Sequence, residues 1–104
     1  MEAKAAVSAL GALAQESRLA VFRLLVRQGP GGMPAGRVAE ALGIPPATLS
    51  FHLAQLGHAG LVRSRREGRR IIYSGDYDGM QELMAFLTEK CCQPARGAGR
   101  GGKC

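Results

Sequence analysis

The stretch AGRVAEALGIPPATLSFHLAQLGH, residues 35–58, decides the fold. Its first part, Ala35 to Leu42, places Val38, Ala39 and Leu42 on one face of a short helix. Gly43 follows, the residue type favoured just past a helix end because it takes a left-handed backbone without a Cβ clash. Ile44, Pro45 and Pro46 make a tight connection, and Pro46 suits the first turn of what comes next. Ala47 to His58 then sets Leu49, Leu53 and Leu56 on one side of a second helix, closed by Ala59 and Gly60. A short helix, a turn of a few residues and a second helix form the helix-turn-helix arrangement. In that motif the N-terminal side chains of the second helix meet base edges in the major groove. Here they are Thr48, Ser50, Phe51 and His52, with Gln55 one turn on. Thr48, Ser50 and His52 are polar groups long enough to reach bases or phosphates. Each also suits a plain structural role: Thr48 a cap, Ser50 a solvated position, His52 an internal hydrogen bond, and Phe51 the core.

Downstream, Leu61 to Ser74 predicts a two-stranded hairpin that turns at Glu67 and Gly68 and continues into Ile71, Ile72 and Tyr73. Arg63, Arg65, Arg66, Arg69 and Arg70 fall within it, and Glu67 is the one acid among them. A charge run by itself is also what a solvated face looks like. Following a helix-turn-helix, the hairpin is expected to be a wing. Arg65, Arg66, Arg69 and Arg70 would then lie along the DNA, since guanidinium forks match phosphate oxygens.

Outside this centre, residues 4–14 predict a helix with Val7, Leu10 and Leu13 at helical spacing. Ser17 to Gln28 predicts another, with Leu19, Phe22, Leu25 and Val26 as its stripe and Phe22 as core. Gly29, Pro30, Gly31 and Gly32 predict a loop. A last helix is expected from Asp78 to Cys92, with Met80, Leu83, Met84 and Leu87 on one face and Pro94 ending it. Gly97, Gly99, Gly101 and Gly102 then predict a flexible tail. The expected organisation is one winged helix-turn-helix DNA-binding and dimerisation domain over 1–92, and a Gly/Arg-rich tail over 93–104 that carries Cys104.

Composition narrows the function. The chain has 104 residues, 46% of them hydrophobic and 21% charged, the balance of a globular domain and not of a disordered one. Its net charge of +6 points to a polyanionic partner, most simply nucleic acid. With no Trp, two Tyr and three Phe, it lacks the aromatic platforms that single-strand binding needs. No apolar run approaches the roughly 20 residues of a membrane span. Met1 to Gly11 lacks the basic region and apolar core of a secretory signal, so a cytoplasmic location with no membrane partner is expected.

The segment TLSFHLAQL, Thr48 to Leu56, followed by Ala59, Gly60, Leu61 and Val62, resembles the recognition helix of the ArsR/SmtB family of bacterial metalloregulatory repressors. Ala12 to Leu19, ALAQESRL, is similar to that family's entry into its second helix, and Gly68, Arg69 and Arg70 running to Tyr73 are similar to its wing. The resemblance covers about residues 8–90. It implies a mainly α winged helix-turn-helix of about five helices plus a β-hairpin. It also implies a homodimer formed through the first and last helices, which represses on an inverted-repeat operator of double-stranded DNA until an inducer releases it. Leu10 with Leu13, and Leu83 with Leu87, are the apolar faces such a dimer would bury. Two of the family's sensor sites are missing: Arg37 to Leu56 holds no Cys-x-Cys box, and Asp76, Asp78, Glu82 and Glu89 have no histidine beside them, His52 and His58 being the chain's two.

The cysteines must therefore name the ligand. Cys91, Cys92 and Cys104 all lie at the C-terminal end. In a reducing compartment thiols favour metal or redox chemistry over a structural disulfide, and adjacent cysteines are poorly placed to bridge each other. Three thiolates without a histidine are too few for tetrahedral zinc, but they suit a soft, three-coordinate ion. Arsenic(III) and antimony(III) are such ions. Lys90, Arg96 and Lys103 nearby favour the thiolate form. The site also resembles an arsenic-responsive variant of the family with a C-terminal vicinal cysteine pair and one more cysteine. Three alternatives stay open: a two-thiol sensor of methylarsenite, a redox sensor, and cysteines incidental to DNA binding. An enzyme is not expected. An oxyanion-cradling thiol loop wants Arg six residues after Cys, and those positions hold Gly97 and Ala98.

Overall fold

The computed structural model describes residues 1–89. Five helices and a small sheet follow one another: α1 (Ala3–Leu13), α2 (Glu16–Gln28), β1 (Met33–Pro34), α3 (Ala35–Leu42), α4 (Pro46–His58), β2 (Val62–Glu67), β3 (Arg70–Gly75) and α5 (Tyr77–Leu87). The sheet is antiparallel with strand order β1-β3-β2. This is a winged helix-turn-helix, with the helices and the hairpin in the order the sequence predicts. Strand β1 is an addition. It pairs Met33 with Tyr73 and Pro34 with Ile72, and two residues are too short to show a period of two. Its proline is tolerated because β1 is an edge strand.

Helix starts and stops have local causes. The Gln15 side chain accepts a hydrogen bond from the Arg18 amide at 2.8 Å and caps α2. Asp76 does the same for α5, accepting from the Gly79 amide at 3.0 Å. Helix α5 ends at Leu87, short of the expected Cys92. Thr88 leaves helical geometry, and its hydroxyl donates to the Met84 carbonyl at 2.9 Å, occupying an acceptor of the last turn. Cys91, Cys92 and Cys104, and the expected tail 93–104, lie outside the described residues.

One core joins these elements. Val21, Phe22 and Leu25 of α2 meet Val38 and Ala39 of α3, Leu49, Leu53 and Leu56 of α4, and Leu61 and Val62 leading into the wing. One expected face is corrected. Leu83 is 5% exposed and belongs to this core, so it is not part of a face left for a partner. In α1 the inward stripe is Ala6, Ala9 and Ala12, while Val7 and Leu10 point outward. Small side chains let α1 approach its neighbours closely, and its larger apolar side chains are left uncovered. Met84 and Leu87 of α5 are likewise exposed. Where α5 crosses the α4–β2 turn, Gly79 lies so close to the Gly60 carbonyl that a Cβ there would collide with backbone. Among the described residues no helix is long and apolar enough to cross a membrane.

Candidate nucleic-acid interface

The turn between α3 and α4 is built from backbone. Gly43 sits at φ 64° and ψ 34°, and its amide bonds back to the carbonyls of Ala39 and Glu40. The Ile44 amide also donates to Ala39, at 3.1 Å. Bonds of this kind close a helix and reverse the chain within one turn. Pro45 then holds an extended conformation as N-cap, and Pro46 opens α4 at the position where a missing N–H costs nothing.

Helix α4 buries Leu49, His52, Leu53 and Leu56, which are three, four and seven residues apart and so share one face. Thr48, Ser50, Phe51 and Gln55 are exposed. These four are therefore presented to solvent. His52 is not: it is 7% exposed, turned into the domain, and not offered to a base edge. The cause is its place on the leucine face and a partner that sequence reasoning missed. The guanidinium of Arg18, at the start of α2, lies 3.5 Å from His52 Nδ1 and donates through Nε to the Ala12 carbonyl at 2.8 Å. Burial, and then the Arg18 charge, hold the His52 pKa below its ordinary value. Both effects favour the neutral ring, whose Nδ1 accepts from Arg18 in the tautomer that carries its proton on Nε2. The two residues are 34 positions apart in the chain, and no local pattern announces the pair.

The wing supplies the charge. Its two-residue loop is Gly68 and Arg69, with Gly68 at φ 62°, as tight hairpin loops require. Residues directly paired across an antiparallel ladder share a face. Ser64 pairs with Tyr73 and Arg66 with Ile71. Ser64 and Tyr73 also line a shallow groove with Ser50, Ala54 and His58 of α4. Arg66 is therefore on the side of the wing that borders α4. Arg69 is at the tip. Arg70 is exposed but pairs with Glu67, on the opposite side. Arg65 is also on that opposite side, and its guanidinium is already engaged. It bonds to the carbonyls of Pro30 at 3.3 Å and Gly31 at 2.9 Å, and to Glu67 Oε2 at 3.0–3.1 Å. Arg65 clamps the wing to the α2–β1 loop. A helix-turn-helix domain family matches residues 13–65, which span α2 through most of β2.

Among curated proteins the HTH-type transcriptional regulator YgaV of Escherichia coli K12 is 30% identical over 90 residues, covering 86% of this chain and 89% of its own. A homodimeric winged helix-turn-helix DNA-binding domain of Mycobacterium bovis, described as a possible ArsR-family transcriptional regulator, superposes with TM-score 0.68. It is 25% identical and covers 92% of this chain and 89% of its own. The chain belongs to the ArsR family of helix-turn-helix transcriptional regulators. It is a regulator and not an enzyme. A further neighbour, described as a possible transcriptional regulator for arsenical resistance, has TM-score 0.67 and 29% identity, covering 77% of this chain and 80% of that one. In this ArsR-family chain, no group of three or more His, Cys, Asp or Glu side chains converges on a metal position among the described residues.

Proposed function

We propose that this ArsR-family regulator is a homodimeric repressor that binds double-stranded operator DNA through α4 and the wing, and is released by arsenic(III) or antimony(III). The observation that carries the DNA reading is the exposure of Thr48, Ser50, Phe51 and Gln55 on α4, beside a wing whose Arg66 lies on the side bordering that helix and whose Arg69 stands at the tip. Helices of this motif read base edges while arginines hold phosphates. His52 and Arg65 take supporting parts: one positions α4, the other fixes the wing. The exposed Val7 and Leu10 of α1 and Met84 and Leu87 of α5 are the surface for the second subunit, the arrangement the homodimeric M. bovis neighbour makes plausible. The bacterial cytoplasm, where operator and reduced thiols both occur, is the compartment this reading requires.

The inducer is inferred from donor chemistry. Cys91 and Cys92 follow the last described residue, Glu89, by two and three positions, and Cys104 supplies a third sulfur. Three thiols and no imidazole match a soft ion that takes three ligands. A metalloid bound just past α5 would act on the helix that carries Met84 and Leu87, and so on the spacing of the two α4 helices. Half-sites about 34 Å apart tolerate little change in that spacing. A coupling of about 1–3 kcal/mol would weaken operator binding roughly 5- to 150-fold.

The test is operator binding by fluorescence anisotropy, titrated with arsenite, antimonite, methylarsenite, zinc and cadmium, on wild type and Cys104→Ser. Release by arsenite that is lost in Cys104→Ser is the expected result. Release by methylarsenite that survives the substitution would replace it with the two-thiol reading. Failure of every ligand would leave a DNA-binding regulator without a metalloid signal.

A further inference from the structure

The least expected side chain on the exposed face of α4 is Phe51. It is 57% exposed, although the helix has a complete apolar face in Leu49, Leu53 and Leu56 that a phenylalanine could have joined. One turn to either side stand Ala47 and Ala54, both exposed and both small, so the ring projects with room around it. Its base is supported: the Phe51 and His52 rings lie 5.9 Å apart, tilted at 59°, and His52 is in turn held against Arg18. A side chain braced in this way presents its apolar edge outward in a defined direction.

Residues 46–58 contain no Lys, Arg, Asp or Glu, so no such charged side chain on α4 stands beside that ring, and its exposed polar neighbours are the uncharged Thr48, Ser50 and Gln55. The adjoining wing is arginine-rich, which makes a polyanion, and not a second apolar protein surface, the charge-complementary occupant. Most of the other uncovered apolar side chains stand on other helices, Val7 and Leu10 on α1, Leu19 on α2 and Met84 and Leu87 on α5, and Ile71 of the wing is paired with Arg66. In the major groove only one base offers an apolar group. Thymine carries a C5-methyl there, while the other bases show donors and acceptors that a phenyl ring cannot satisfy.

We infer that Phe51 is a specificity-determining residue that reads the C5-methyl of a thymine at one position of each operator half-site. The inference rests on α4 being the DNA-reading helix. Thr48, Ser50 and Gln55 around it would serve the neighbouring hydrogen-bonding edges. His52 is the positioning residue behind it.

Deoxyuridine tests this directly, because it keeps every hydrogen-bonding group of thymine and removes only the methyl. The full chain is first used to select its preferred site from random duplex DNA. Each thymine of that site is then replaced singly by deoxyuridine, and affinity is measured for wild type and Phe51→Ala. One position per half-site is expected to lose about fourfold in wild type, the value of one buried methyl, and to lose nothing in Phe51→Ala. Phe51 is exposed, so the variant should retain the wild-type unfolding midpoint, which is measured alongside. Equal binding of thymine and deoxyuridine at every position would overturn the inference, as would an unchanged deoxyuridine profile in Phe51→Ala. If selection enriches no site at all, the DNA-reading role of α4 fails first and takes the inference with it.

Discussion

Helix α4 and the wing share a surface but carry opposite chemistry. Residues 46–58 hold no Lys, Arg, Asp or Glu, while residues 63–70 hold five arginines and one glutamate. Sequence discrimination needs short-range contacts to base edges, whereas affinity comes mainly from neutralised phosphates and released counterions. On the proposed reading the two tasks fall to separate elements. Within the wing the division is repeated: Arg66 and Arg69 border α4 or stand at the tip, while Arg65 is spent on the protein's own backbone.

The strongest way to break this comparison is to discharge the wing. Arg66→Ala with Arg69→Ala would remove the four phosphate contacts that the proposed reading gives a dimer. Affinity should fall on the order of 100-fold at 0.1 M salt, and the slope of log K against log salt should flatten by roughly 3 to 4. The loss should be the same for the selected site and for scrambled DNA, so that the specificity ratio stands. A loss confined to the selected site would place base reading in the wing and undo the division.

Next in size is the junction that sets the two regions side by side. The turn from α4 into β2 passes through Gly60, and Gly79 of α5 packs on its carbonyl. Gly79→Ala forces backbone apart and should cost about 2 kcal/mol of stability, measured by urea unfolding. Gly57→Ala, whose added Cβ meets nothing closer than the Val62 carbonyl at 4.0 Å, is the control and should cost little.

What could be read from sequence follows this same line. The α3–turn–α4 unit and the hairpin were legible because each rests on local signals: a leucine period, Gly43 at a helix end, Gly68 in a tight loop. What escaped depends on contacts between distant residues. Arg18 and His52 meet across 34 positions and Arg65 meets the Pro30–Gly31 carbonyls across 34 and 35, and in both cases a side chain that looks available is already engaged. In helix α1 the exposure of Leu10 agrees with the apolar face expected there, while the inward alanine stripe of Ala6, Ala9 and Ala12 carries little apolar signal in the sequence because close approach favours the smaller side chain. Leu83 was assigned to a partner's face because periodicity shows an apolar stripe without showing which part of it the domain's own core covers.

The buried side of α4 gives a smaller effect with a definite sign. The folded His52 pKa lies below that of the unfolded chain, because burial and Arg18 oppose its protonation. Above the unfolded value of about 6.5 the residue is neutral in both states and its contribution is fully present. As pH falls below that value the unfolded chain takes up a proton that the folded one resists, so stability is lost through the folded pKa. His52→Gln keeps an acceptor for Arg18 without titrating. The urea midpoint of wild type should drop further than that of His52→Gln between pH 7.5 and 5, and parallel curves would sink the assignment.

The smallest effect separates two arginines that look alike in sequence. Arg65 and Arg66 are neighbours on one strand, and their side chains alternate to opposite sides of the sheet. Arg65 is 44% exposed and its ion pair with Glu67 is screened by solvent, so that contact contributes little. Its bonds to Pro30 and Gly31 carbonyls are what tie the wing down, and Arg65→Ala should cost about 1 kcal/mol. Operator affinity should fall only a few-fold, with the salt slope almost unchanged, since no phosphate contact is removed. Hydrogen exchange should instead quicken in β2 and β3. A salt slope that flattens in Arg65→Ala as much as in Arg66→Ala would mean that the clamp opens on DNA and that both arginines end on phosphates.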